Sequence, residues 1–173
     1  QGVWMNLDGD GLMDLFVIHD AGVEFDCSAA NHAYLNNGDW TFTESGSTLG
    51  LNKFMSSMSA TVGDPDGDGE EEIFVTNQAS DASYAFPLQT AGYFDADENG
   101  LWLERADEVG LDADRWSWSA AWVDMDLDGA EELCVATNVF SVPGDGQQVE
   151  LYDNHLYRRA VDASGPDIVF AAV

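Results

Sequence analysis

A nine-residue acidic loop occurs three times in this chain, each copy running straight into a short apolar stretch, and any fold must place the three loops equivalently. The copies are Asn6-Leu7-Asp8-Gly9-Asp10-Gly11-Leu12-Met13-Asp14, Asp64-Pro65-Asp66-Gly67-Asp68-Gly69-Glu70-Glu71-Glu72 and Asp124-Met125-Asp126-Leu127-Asp128-Gly129-Ala130-Glu131-Glu132, starting 58 and then 60 residues apart. The repeat reaches beyond the loop. At the 60-residue offset Gly50-Leu51 matches Gly110-Leu111, Ser57 matches Ser117, Ser59-Ala60 matches Ser119-Ala120, and Phe42 matches Trp102. Self-similarity at such a period marks an architecture in which one supersecondary unit is copied and stacked.

The unit can be read strand by strand. Leu15-Phe16-Val17-Ile18, Ile73-Phe74-Val75-Thr76 and Leu133-Cys134-Val135-Ala136 follow the loops. They are rich in β-branched and aromatic residues and too short for helices, which predicts strands buried on both faces. Residues 57–62 and 117–122 alternate in part and lead into the second and third loops, so a strand precedes each. Asn37-Gly38-Asp39, Asn99-Gly100 and Gly165-Pro166 each sit between two apolar or aromatic runs and predict hairpins. Each period then holds four short antiparallel strands, which is a propeller blade. The expected fold is all-β: a partial β-propeller of about three four-stranded blades, spanning about residues 1–45, 57–105 and 117–172. Propellers close with about 4 to 8 blades, so the chain is read as a fragment of a seven-bladed ring, with the remaining blades in the parent chain as its partners. A free-standing β-solenoid or sandwich is the alternative.

Charge narrows the partners. Lys plus Arg number 5 against 33 Asp plus Glu, a formal charge of -28, which excludes nucleic-acid binding by phosphate neutralisation and makes cations the natural ligands. A solvated acidic tail is excluded by 45% hydrophobic residues with six Trp, nine Phe and five Tyr. Self-repulsion at this charge destabilises a compact state unless counterions sit among the carboxylates. No window approaches the roughly 20 apolar residues of a membrane span. The chain opens at Gln1 without a leader, so any signal peptide is expected outside this segment. Cys27 and Cys134 show no zinc-type spacing; a bridge between them and a buried free Cys134 both remain open.

Hard cations take about 6 to 8 oxygen ligands, and a tight loop supplies them at alternate positions. Position 1 of each loop is Asn6, Asp64 or Asp124, position 3 is Asp8, Asp66 or Asp126, and position 5 is Asp10, Asp68 or Asp128. Gly11, Gly69 and Gly129 let the backbone turn at position 6, Leu12, Glu70 and Ala130 offer carbonyls at position 7, and position 9 is Asp14, Glu72 or Glu132. These residues are the expected Ca²⁺ ligands, about three ions in all. An EF-hand needs a bidentate Glu at position 12, where this chain has Val17, Val75 and Val135, so that motif is excluded.

The pattern DxDxDGxxD followed by an apolar strand resembles the FG-GAP or VCBS-type repeat, the calcium-loop blade of integrin α-subunit propellers and of many secreted bacterial proteins. Residues 31–44 and 154–158 resemble the family's NxLYxNxGdGtFte hairpin, and Gly50-Leu51 and Gly110-Leu111 its aGL continuation, a subtype typical of the cartilage acidic protein and UnbV-like (ASPIC) group. The resemblance implies a calcium-binding, non-enzymatic module, extracellular or periplasmic, that presents loops to a protein or glycan ligand in an adhesion-type role. Departures are Glu72 and Glu132 where the family has Asp, and the uncharged Asn6. The competing reading is the propeller portion of a secreted polysaccharide lyase or hydrolase. That reading needs His, Arg, Tyr and Glu clustered on one face away from the loops, whereas the chain shows neither HExxH nor GxSxG. Residues 95–100 imitate the ligand spacing but place Leu103 at position 9. His19, His32 and His155 read as structural, and Trp4, Trp116, Trp118 and Trp122 as blade-packing residues.

Overall fold

The computed structural model describes residues 1–20, 30–77, 90–112, 117–137, 154–160 and 169–172. Strands β1 (Gly2–Met5), β2 (Asp14–Val17), β3 (His32–Asn36) and β4 (Phe42–Glu44) form the first blade. Strands β5 (Ser57–Gly63), β6 (Glu72–Asn77), β7 (Gly92–Ala96) and β8 (Trp102–Glu104) form the second. Strands β9 (Ser117–Val123), β10 (Glu132–Thr137), β11 (His155–Ala160) and β12 (Val169–Ala172) form the third. Within each sheet the strands lie in chain order and pair antiparallel, so the chain is all-β with three four-stranded blades. Among the described residues no helix is long and apolar enough to cross a membrane.

The core lies between the sheets, because alternate residues of a strand face opposite sides. Ile73 and Val75 of β6 join Met5, Phe16 and Ala33 of the first blade in one buried cluster. Phe74, pointing the other way, joins Trp122, Leu133 and Phe170 of the third blade in another. Every residue of β6 is buried as a result, as expected of its apolar run. For β2 and β10 that expectation needs correction: β2 alternates buried and half-buried residues, and Ala136 of β10 is exposed. Only the middle blade has a neighbouring blade on each face among the described residues.

Turn chemistry positions the outer strands. Asn37 N–H bonds Thr41 O at 3.0 Å and Asp97 N–H bonds Leu101 O at 2.9 Å, closing the two hairpins. A four-residue helix, α1 (Gly46–Leu49), follows β4, an element that the all-β sequence pattern did not announce. Gly50, at φ +82°, ends it by returning its N–H to Gly46 O, and Leu51 then turns into the core. The Gly165-Pro166 turn and Trp116 lie outside the described residues.

The seam between the second and third blades runs past Gly63, where β5 meets Trp122 of β9. A Cβ at Gly63 would lie 2.7 Å from Trp122 Cγ and against the Glu131 carboxylate. Gly63→Ala is therefore expected to destabilise the chain by about 1–3 kcal/mol through overpacking. Urea unfolding checks this; an unchanged midpoint would show that the seam yields to a methyl group.

Candidate metal centre

Each acidic loop joins the first two strands of its blade and is wound by its own carboxylates. Asp64 Oδ1 accepts the N–H groups of Gly67 at 2.7 Å and Asp68 at 3.0 Å, and Oδ2 accepts that of Gly69 at 3.0 Å. Asp124 does the same for Asp128 at 3.1 Å and Gly129 at 3.0 Å. In the first loop Asp8 Oδ1 accepts Asp10 N–H at 3.1 Å. Position 5 holds position 7 in every copy: Asp10, Asp68 and Asp128 accept the N–H groups of Leu12, Glu70 and Ala130 at 2.7, 2.8 and 2.9 Å.

The backbone turns left-handed twice per loop. Position 6 was expected to turn, and Gly11, Gly69 and Gly129 have φ of 86°, 93° and 92°. Position 4 turns as well, with φ of 76° at Gly9, 75° at Gly67 and 61° at Leu127. The sequence signalled this requirement through glycine at two of the three copies.

Position 9 opens the second strand of each blade and is buried in all three, with Asp14, Glu72 and Glu132 exposed by only 1%, 2% and 4%. A buried carboxylate needs donors or a cation. Asp14 has donors: Leu7 N–H reaches Oδ2 and Asn36 N–H reaches Oδ1, both at 2.8 Å. Glu132 accepts Met125 N–H at 2.9 Å, and Arg158 Nε lies 3.9 Å from its other oxygen. Leu7 and Met125 both occupy position 2, where the second loop has Pro65, a residue with no N–H. Glu72 Oε2 is accordingly buried without a hydrogen-bond partner among the described residues. Burial, followed by the nearby charges of Asp66, Asp95, Asp68 and Asp64, pushes the Glu72 carboxyl up to about 9. Burial also raises Asp66 above the usual carboxylate range.

Two groups of three carboxylates have ligand oxygens within 4.8 Å of one another: Asp64, Asp66 and Glu72, and Asp124, Asp126 and Glu132. The first loop, with Asn6 at position 1, forms no such group among the described residues. Asp10, Asp68 and Asp128 stand outside the grouped oxygens, engaged with the position 7 amides. An acidic cleft of about 820 Å³ runs between the first and second loops, lined by Asp8, Asp68, Glu72, Asp95, Asp97 and Glu98 among others and by no Lys or Arg.

Neighbouring blades grip the loops. Trp102 Nε1 of β8 donates to Leu7 O at 3.1 Å. The second loop is held from the third blade, where Glu131 accepts Asp64 N–H at 3.0 Å and Arg159 donates to Asp66 O at 3.2 Å. These inter-blade bonds carry no local sequence signal.

Asp97 Oδ1 accepts Asn99 and Leu101 N–H groups, both at 2.9 Å, which makes residues 95–100 a hairpin turn. His32 Nδ1 lies 3.2 Å from Glu44 Oε1, and the same oxygen accepts Gly46 N–H at 3.2 Å, so this His–Glu pair braces the start of α1. His155 Nδ1 lies 3.3 Å from Tyr157 OH. Trp122 packs between blades, but Trp4 is 53% exposed against Phe42 of its own blade and Trp118 is 39% exposed, since both sit on strand faces that no other described blade covers. Cys134 is free, its Sγ 3.7 Å from Met125 Sδ; Cys27 lies outside the described residues.

Residues 6–75 match the family model described as an FG-GAP-like repeat, a stretch running from position 1 of the first loop to position 12 of the second. A comparison with curated proteins found no match.

Leu127, 86% exposed, occupies a backbone conformation that glycine holds in the other two loops. Leu127→Gly is expected to stabilise the chain by about 1 kcal/mol, the relief of left-handed strain outweighing the entropy glycine adds to the unfolded state. Thermal unfolding checks it; a lowered melting temperature would contradict it.

Proposed function

We propose that the chain is a calcium-binding module, with the metal serving as architecture at the loops and the blades presenting connecting segments to a protein or glycan partner. The observation that carries this reading is Glu72, whose buried Oε2 has no hydrogen-bond partner among the described residues while Asp64 and Asp66 bring their own oxygens to the same group. Three carboxylates gathered this closely repel one another, and a hard divalent cation bound by oxygen is the chemistry that satisfies them. The acidic cleft beside the loop and the charge of -28 favour cation entry. Asp64, Asp66 and Glu72 would hold the ion through carboxylate oxygens, with Asp68 and the Glu70 carbonyl adjacent in the loop. Asp124, Asp126 and Glu132 are the corresponding set in the third blade.

A non-catalytic role fits the placement of the His, Tyr and Glu side chains. Among the described residues, one grouping away from the loops, His19, His32, Tyr34 and Glu44, is taken up by ring contacts and by the brace on α1. Likeness to the hairpins of the cartilage acidic protein and UnbV-like group supports a secreted, extracellular or periplasmic setting. Calcium concentrations there suit a loop of this kind.

Calcium is expected to raise stability by about 2.7 kcal/mol per site at a hundredfold excess over Kd. For a chain of this size that corresponds to a rise in melting temperature of roughly 5–10 °C per filled site. Glu72→Gln should lose the contribution of the second loop. Melting in chelator and in millimolar calcium tests both statements; curves unchanged by calcium in the parent chain would reject the reading.

A further inference from the structure

The three loops face different residues from the third strand of their own blade, and the strand register shows which. The residue just after position 9 pairs across the sheet with Tyr34 in the first blade, Phe94 in the second and Tyr157 in the third. The next residue along the third strand is therefore Leu35, Asp95 or Arg158 at one equivalent place. One blade puts an aliphatic side chain there, one a carboxylate and one a guanidinium.

In the third blade that guanidinium lies on the loop. Arg158 Nη2 is 2.6 Å from Asp126 Oδ2, and Nε is 3.9 Å from Glu132 Oε1. Asp126 and Glu132 are two of the three carboxylates in the third-loop group. Arginine stays charged throughout the accessible pH range, and a short charge-assisted bond to a carboxylate is among the stronger polar contacts a protein makes. A calcium ion entering this loop has to compete with Arg158 for the same oxygens. The Arg158 and Asp126 side chains are 46% and 42% exposed, so the guanidinium has room to leave.

The second blade is built the opposite way. Asp95 adds a negative charge near Glu72, Pro65 withholds the backbone donor that Met125 supplies in the third loop, and no arginine reaches the grouped oxygens among the contacts of the described residues. Arg105 meets Asp95 Oδ2 at 3.0 Å, and Arg159 meets only the carbonyl of Asp66.

We propose that Arg158 is a tethered counter-cation of the third loop, so that the second loop fills with calcium first and the third loop takes the ion only by displacing this side chain. The proposal rests on the calcium reading above. Displacing one charge-assisted bond is expected to weaken the third loop by about tenfold or more relative to the same loop without the arginine.

The test is calorimetric titration of calcium into the decalcified 173-residue chain and its variants. Arg158→Leu, which installs the residue of the first blade, should tighten or reveal one further calcium equivalent, and Asp126→Ala added to it should remove that equivalent. Lys53→Leu, which deletes the same charge on the connection before β5, should leave the isotherm as in the parent. If Arg158→Leu does not fold, Arg158→Gln keeps a polar group at this half-exposed position and should behave alike. The proposal is overturned if neither arginine variant changes the isotherm while Glu72→Gln still removes a site from the parent chain. If Glu72→Gln also leaves the isotherm unchanged, the calcium reading itself fails, and this proposal fails with it.

Discussion

Each blade opens its second strand with a buried carboxylate, and how that carboxylate is satisfied sets the character of the loop before it. Asp14, Glu72 and Glu132 occupy the same place in three sheets and are almost fully buried. An ionised carboxylate cannot stay there alone, because the desolvation cost is large unless donors or a cation compensate. Asp14 receives two backbone N–H groups, one from its own loop and one from β3. Glu132 receives one N–H and the neighbourhood of Arg158. Among the described residues Glu72 Oε2 receives neither, because proline stands where the loop donor would be. One fold thus offers a loop closed by its own amides, a loop countered by an arginine and, in the function proposed above, a loop left to an external cation.

Inter-blade hydrogen bonds tie the loops to the packing of the blades. The core is not inside any one sheet but between sheets, with β6 sending Ile73 and Val75 one way and Phe74 the other. Loop backbones hydrogen-bond to the adjacent blade: Trp102 Nε1 donates to Leu7 O, and Asp64 N–H donates to the Glu131 carboxylate. A cation that orders the second loop therefore also stiffens a joint between two blades. In the proposed function a metal would matter to the whole structure in this way, by binding the folded form and shifting the balance between folded and unfolded chain.

Much of this was legible in the sequence wherever the cause is local. Short apolar runs after the loops, partly alternating runs before them and the Asn-Gly turns at residues 37–38 and 99–100 announced most of the strands, since these signals depend on residues within a few positions of one another. The loop glycines at position 6 were readable for the same reason, and those at position 4 were present but unread until the φ values gave them a cause. The rest depends on register and on what is missing. Pro65 matters only because a carboxylate seven residues later lacks the N–H that proline cannot give. Arg158 lies 32 residues from Asp126, and only the pairing of β10 with β11 brings it onto the loop. The exposure of Trp4 and Trp118 follows from which strand face a neighbouring blade covers, a property of the assembly and not of the strand.

The central claim is that the second loop holds a divalent cation through Glu72. Anomalous diffraction from crystals grown with calcium tests it most directly. The account predicts a peak within coordination distance of carboxylate oxygens from Asp64, Asp66 and Glu72 together. A fully ordered second loop in saturating calcium, with no peak there and Glu72 satisfied by a water or a protein donor instead, would contradict it.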